Sequence, residues 1–176
     1  SKAGGQFSQS AANKIDHQLQ TDFLGYGQLE NSSKVIGIIK DEMTDEITEG
    51  EGGQIILDKT SFYAESGGQV GDTGTIQSSN GMFEVADTQH SGNALIHLGT
   101  MAQGSISINE DVNAAINPIR RRAITLNHTA THLMHAALID VLGDHVTQRG
   151  SLVEDQRLRF DFSHHQAVNS NEIREV

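Results

Sequence analysis

From Val35 to Ile116 the apolar residues come in short runs, and each run is closed by turn-forming residues. The runs are Val35 to Ile39, Gln54 to Leu57, Phe83 to Val85, Ala94 to Leu98, Ser105 to Ile108 and Val112 to Ile116. Between them lie clusters such as "EGEGG", "SSNG" and "HSGN". Strands that short cannot each bury a face unaided, and turn signals that frequent leave no room for helices. A small β-barrel or sandwich is the expected result. Glycine supplies 18 of the 176 residues, most of them in this stretch. The only proline, Pro118, falls where the strand texture stops.

Beyond it the period changes. Arg120 to Leu142 reads as one long helix or two abutting ones, with Asn127 as a cap for its second part. Ala130, Leu133, Met134, Ala137, Leu138, Val141 and Leu142 form an apolar stripe at helical spacing. Gly143 is placed to stop the helix. "HVTQRGSLV" then reads as a strand and turn. "LRFDF" alternates, with Leu158, Phe160 and Phe162 on one face and Arg159 and Asp161 on the other. Near the end, Asn169 and Glu172 have capping-box spacing. A helix of under two turns is unstable alone, so either it packs as a stub or the chain was cut from a longer one, and the cut is the expectation.

The expected fold class is α+β: a small barrel, then the start of an α/β part bearing a histidine-rich helix. The expected divisions are 1–24, a polar stretch; 25–118, the barrel with its Gly-rich loop; and 119–176, the α/β part. In the first stretch Phe7, Ala11, Ile15, Leu19 and Phe23 recur every four residues, a helical stripe that reads as the tail of a preceding domain.

Several classes are disfavoured. No run of 18 apolar residues offers a membrane span, and no basic segment leading into an apolar one reads as a secretory signal. Cysteine is absent, which removes disulfides and thiolate ligands and fits a cytoplasmic setting. The formal net charge of -11 argues against a general nucleic-acid binder. Locally, Arg120, Arg121 and Arg122 form a basic run, with Arg149, Arg157 and Arg159 behind it. These can be a small RNA-contacting face or an ordinary solvated one.

Two stretches carry chemistry. In "LNHTATHLMHAAL", residues 126 to 138, His128, Thr131, His132 and His135 share one helical face by their spacing. That face lies away from the apolar stripe. Histidines at i and i+4 can converge on one metal ion; they can equally be surface histidines. The glutamate of HExxH is missing, so a metalloprotease is not indicated. His135, His145, His164 and His165 are candidates for further ligands, and spacing does not choose among them. In "ESGGQVGDTG", residues 65 to 74, Gly67, Gly68, Gly71 and Gly74 lack both the GK[ST] of a P-loop and a GxGxxG opening a helix. The loop is either a tight turn within the barrel or a place where backbone approaches a ligand closely.

Together, "TSFYAESGGQVGDTG", "LNHTATHLMHAAL" and "GSLVEDQRLRFDFSH", in this order and spacing, resemble the editing region of bacterial alanyl-tRNA synthetases, over roughly residues 20 to 176. The resemblance implies a barrel followed by a zinc-bearing α/β part that hydrolyses tRNA(Ala) mischarged with serine or glycine. It implies that His128 and His132 are two of four zinc ligands, the others being the Cys and His of a later CxxxH. No cysteine exists here, so the pair is expected to hold no stoichiometric zinc in this chain, and the isolated chain is expected to be inactive. Thr131 and Gln148 would act in the hydrolytic pocket, and Gly67 and Gly68 would approach the charged end of the tRNA. ATP and magnesium would belong to an aminoacylation domain not contained here. The need for such a site is physical. A pocket for alanine cannot exclude glycine by size and rejects serine's extra hydroxyl only weakly. Two other readings remain: a free-standing editing protein that acts in trans, and a non-catalytic RNA-binding or structural barrel.

Overall fold

The computed structural model describes residues 19–176. These divide into two compact units: residues 19–64 with 71–117, and residues 65–70 with 118–176.

The first unit is built from ten strands: β1 (Asp22–Phe23), β2 (Glu30–Ile39), β3 (Met43–Thr44), β4 (Glu46–Thr48), β5 (Gly52–Leu57), β6 (Lys59–Thr60), β7 (Gly74–Gln77), β8 (Gly81–Ser91), β9 (Ala94–Ser107) and β10 (Asp111–Ile116). Six of them close into an antiparallel barrel in the order β2-β5-β9-β8-β7-β10, with β10 returning to β2. The alternating pattern in β2 explains the closure. Asn31, Ser33, Val35 and Ile38 are buried while Glu30, Ser32 and Lys34 are exposed, so one face is committed to an interior.

That interior is one cluster containing Val35, Ile38, Ile55, Leu57, Phe62, Ile76, Phe83, Met101, Ile106 and Val112. In β5 the apolar run is buried on both sides: Ile55 and Leu57 join the interior, and Ile56 joins a smaller cluster with Ile39, Ala94 and Ile96. The "HSGN" cluster makes the turn that its composition suggests. Gly92 and Asn93 form a two-residue link between Ser91 and Ala94 of the β8–β9 hairpin, with Gly92 at φ +57°.

A titratable side chain is buried beside this interior. His97 is fully buried, its Nδ1 3.0 Å from the Ile55 carbonyl and its Nε2 3.0 Å from Thr60 Oγ1. A carbonyl can only accept, so Nδ1 carries the proton and Nε2 accepts from the threonine hydroxyl. Thr60 Oγ1 in turn accepts from the Phe62 N–H at 3.2 Å. Burial pushes the pKa of this neutral ring down to about 4, opposed only by the Ile55 contact.

Several expectations change. The runs at Ala94 to Leu98 and Ser105 to Ile108 are one strand, β9, which stays paired across Gly99 and Gly104 by shifting from β5 to β4. The strand β7 has one large apolar residue, Ile76, and shows no run in the sequence. Phe23 is extended, in β1 beside β6, so the four-residue stripe is not helical there; Phe7, Ala11 and Ile15 lie outside the described residues.

The second unit holds α1 (Pro118–Leu142), the hairpin β11 (Thr147–Val153) and β12 (Leu158–Ser163), and the short α2 (Ser170–Glu175). Helix α1 is single and unbroken, and it starts at Pro118, whose missing N–H costs nothing in a first turn. Asn127 is therefore not a cap but an interior residue. Its Nδ2 donates to the carbonyls of Glu154 at 2.7 Å and Asp155 at 3.2 Å, tying the helix to the hairpin turn. Gly143, at φ +107°, ends the helix as expected, its N–H donating to the Ile139 carbonyl at 2.8 Å. Asn169 and Glu172 form the full reciprocal capping box. Among the described residues no helix is long and apolar enough to cross a membrane.

Candidate functional site

Helix α1 presents its histidines differently from the expected single face. Its buried residues are Arg121, Ile124, Thr131 and Leu138. Thr131 is thus in the middle of the packed side, 6% exposed, and its hydroxyl donates to the Asn127 carbonyl at 2.8 Å. His135 is half-buried against Phe160, with ring centroids 4.9 Å apart, and its Nε2 is buried with no hydrogen-bond partner. His128 and His132 are exposed. The expected apolar stripe fails at Leu133, which is 68% exposed, while Leu138 is buried and Ala130, Met134, Ala137, Val141 and Leu142 are half-buried. Ile124, Thr131 and Leu138, each seven residues apart, set the packed line, and a threonine in it hid that line from a purely apolar count.

His128 and His132 do come together. Their Nε2 atoms are 3.1 Å apart, one helical turn from each other. Among the described residues, no other histidine or carboxylate joins these two in a three-ligand group. His145, His164 and His165 gather instead with one another. Desolvation, then the neighbouring His165 and His164, hold the His145 ring below the ordinary histidine range, with Asp144 opposing.

The second focus is the glycine loop. Residues 65–70 group with the second unit. Ser66 and Gln69 close a turn through two backbone hydrogen bonds, 3.1 and 3.0 Å, with Gly67 and Gly68 between them at φ +60° and +85°. The loop then lies along β11. The Val153 N–H donates to the Gly68 carbonyl at 2.7 Å, and the Val70 N–H donates to the Val153 carbonyl at 3.2 Å. Gly68 must be glycine here, because a Cβ would meet the Ser151 carbonyl and hydroxyl.

Gln148 is exposed on β11, at a bulge between Gln148 and Gly150. Its Nε2 donates to Ser151 Oγ at 3.2 Å, and Ser151 Oγ donates to the Gly67 carbonyl at 3.3 Å. The structure therefore links Gln148 and the glycine loop through Ser151. Sequence reasoning did not single out Ser151, although it stands in the quoted stretch "GSLVED". The bulge is what turns it toward the loop: one extra residue on β11 resets which side chains share a face.

The basic run is largely engaged. Arg121 is buried, Arg120 reaches Asp155 at 3.5 Å, Arg157 reaches Glu154 at 2.8 Å and Arg159 reaches Asp161 at 3.1 Å. Arg122 and Arg149 are exposed.

Residues 1–120 match the family model for class II (A) tRNA synthetases. The chain is 50% identical over 159 residues to an alanine–tRNA ligase of Thermoanaerobacter sp. (strain X514), covering 90% of this chain and 18% of that protein. It is 50% identical over 155 residues to that of Pseudomonas entomophila, covering 88% and 18%. It is 46% identical over 176 residues to that of Shewanella loihica, covering 99% and 20%. The last match extends through α1 and the β11–β12 hairpin, so likeness is not confined to the barrel. The chain thus spans about a fifth of the length of these curated relatives, and it belongs to the alanyl-tRNA synthetase family.

Proposed function

We propose that the protein containing this chain hydrolyses tRNA(Ala) mischarged with serine or glycine, and that the second unit carries the hydrolytic pocket. The observation that supports this most is the chain of hydrogen bonds from Gln148 through Ser151 to Gly67. It fixes the Gln148 amide by its nitrogen and leaves Oε1 as an acceptor. A serine hydroxyl can donate to that oxygen; an alanine side chain offers nothing to it, so the correctly charged alanyl ester is disfavoured in the pocket. A glycine ester would be admitted on size. Gly67 and Gly68 keep the loop free of side chains where the tRNA end would approach.

His128 and His132 would hold zinc. Their 3.1 Å nitrogen separation is close to the roughly 3.3 Å expected for two nitrogens on a tetrahedral zinc with bonds of about 2.0–2.1 Å. When bound, zinc supplies a Lewis acid that polarises a carbonyl or a water molecule. The family resemblance assigns the remaining ligands to a CxxxH, which this chain does not contain. Thr131, one residue before His132, would set the floor of the pocket while anchoring the helix. ATP, magnesium and aminoacylation would belong to other parts of the synthetase.

The test is Gln148→Ala in the full-length synthetase. Clearance of serine-charged tRNA(Ala) should fall about 10- to 100-fold, the equivalent of about 1–3 kcal/mol for an orphaned polar partner. Alanine charging and zinc content should not change. Clearance at the original rate would make Gln148 structural and the pocket misplaced.

A further inference from the structure

His145, His164 and His165 occupy one end of the β11–β12 hairpin, and the sequence explains why. Gly143 ends α1, and the Val146 N–H turns back to the Gly143 carbonyl at 3.1 Å. Val146 is buried and anchors the turn. Strand β11 then begins at Thr147, paired with Ser163; their hydroxyls are 2.6 Å apart. Thr147 pairs with Ser163 and Gln148 with Phe162. Continuing that antiparallel register outward sets His145 opposite His165. The chain bends just after β12, which lets the adjacent His164 and His165 face the same neighbour instead of opposite sides.

The rings are close. His145 Nε2 is 2.7 Å from His164 Nδ1. Ring centroids are 4.9 Å for His145–His164, 4.3 Å for His145–His165 and 4.7 Å for His164–His165. One nitrogen from each ring lies within 4.8 Å of the other two. The other nitrogen of His164, Nε2, is buried without a hydrogen-bond partner, so the ring meets its polar neighbours through Nδ1.

We propose that His145, His164 and His165 bind a divalent transition-metal ion that clasps the open end of the β11–β12 hairpin to the turn after α1. Three imidazoles with no carboxylate among them select zinc, copper, nickel or cobalt over magnesium and calcium. Two nitrogens on one tetrahedral ion stand about 3.3 Å apart. The His145–His164 pair is already inside that distance, and His165 needs only a side-chain rotation. The ion takes the place of the proton shared by His145 and His164. Three protein ligands leave a fourth position for water or a small anion. This site is separate from the His128–His132 pair and does not depend on the editing role.

The experiment uses the untagged 176-residue chain, stripped with chelator and titrated with zinc. Calorimetry gives the affinity, and long-range nitrogen–proton NMR of the histidine rings identifies which nitrogens bind. Zinc should shift the ring nitrogens of His145, His164 and His165 together, at one equivalent. Losing a hydrogen-bond partner behind a metal ligand costs about 10–100-fold in affinity, so losing a ligand in His165→Ala should cost at least about a hundredfold. The double variant His128→Ala, His132→Ala should bind this equivalent unchanged. The proposal is overturned if the three rings stay unshifted at zinc saturation, or if the double variant abolishes the binding. The ring spectra of the unsubstituted chain decide the matter even where a variant folds poorly.

Discussion

Gly67 and Gly68 are neighbours with the same kind of backbone and different surroundings, so alanine at each position separates two costs. At Gly67 a Cβ would meet nothing within 4 Å. Only the left-handed conformation is penalised, at about 1 kcal/mol. At Gly68 the same penalty applies, and the Cβ also runs into the carbonyl and hydroxyl of Ser151. Ser151 cannot give way easily, because β11 pairs it with Phe160. The loop must lift instead. Lifting breaks the 2.7 Å bond from the Val153 N–H and the 3.2 Å bond from the Val70 N–H, each about 1 kcal/mol net. The total for Gly68→Ala is about 3 kcal/mol, against about 1 kcal/mol for Gly67→Ala. Native-state amide exchange reads this locally. Val153 and Val70 should lose about a hundredfold of protection in Gly68→Ala and less than about tenfold in Gly67→Ala, at 1.36 kcal/mol per decade. Equal losses in the two variants would refute the close-approach account and leave backbone conformation as the whole effect. In the full-length enzyme the same Gly68→Ala change should impair clearance of serine-charged tRNA while alanine charging persists.

Two further outcomes follow from buried groups. The unfolded chain protonates His97 near pH 6.5 and the folded chain only near 4, so the unfolded state binds more protons between those values and stability falls as pH drops through that window. The loss amounts to about 3 kcal/mol from this one residue; the pH dependence of the urea midpoint should flatten in His97→Gln, and an unchanged slope would clear His97 of responsibility. Thr131 is packed, so Thr131→Phe should destabilise the second unit by about 1–3 kcal/mol from overpacking as well as impair editing, whereas the isosteric Thr131→Val should keep the fold. A fully stable Thr131→Phe would mean that the side chain faces open space.

The barrel was legible because its code is local. Alternation in β2 and the Gly92–Asn93 turn each fix one strand or one hairpin, and the fold is their sum. What escaped the sequence was non-local. Strand β7 has little apolar content of its own and is held between β10 and β8. Strand β9 reads as two strands because Gly99 and Gly104 interrupt its pattern. A Cβ at Gly99 would meet the Glu84 carbonyl, and one at Gly104 the Asn80 carbonyl. These glycines are demanded by close backbone approach rather than by a turn, and no single-strand pattern can tell the two uses apart.

The site divides along the same line. The convergence of His128 and His132 needs only helical periodicity, and the sequence foresaw it. Which residues surround that pair depends on how α1 meets the hairpin. There a polar residue, Asn127, makes the link by donating to two turn carbonyls, and Thr131 takes a core position. Apolar periodicity therefore left Thr131 out of the packed side and put Leu133 into it, and it set His135 on the open side when its ring rests on Phe160. The three remaining histidines of the second unit, His145, His164 and His165, lie about twenty residues apart in two groups, and only strand register brings them together. Counting Thr147 against Ser163 would have sufficed, because each step outward from an antiparallel pair adds one residue on both strands. The bulge at Gln148 does not disturb that count, since it lies on the other side of the pair. The same bulge does displace Ser151 relative to Gln148, which is why the hydroxyl that joins the glutamine to the glycine loop could be found only from the folded chain.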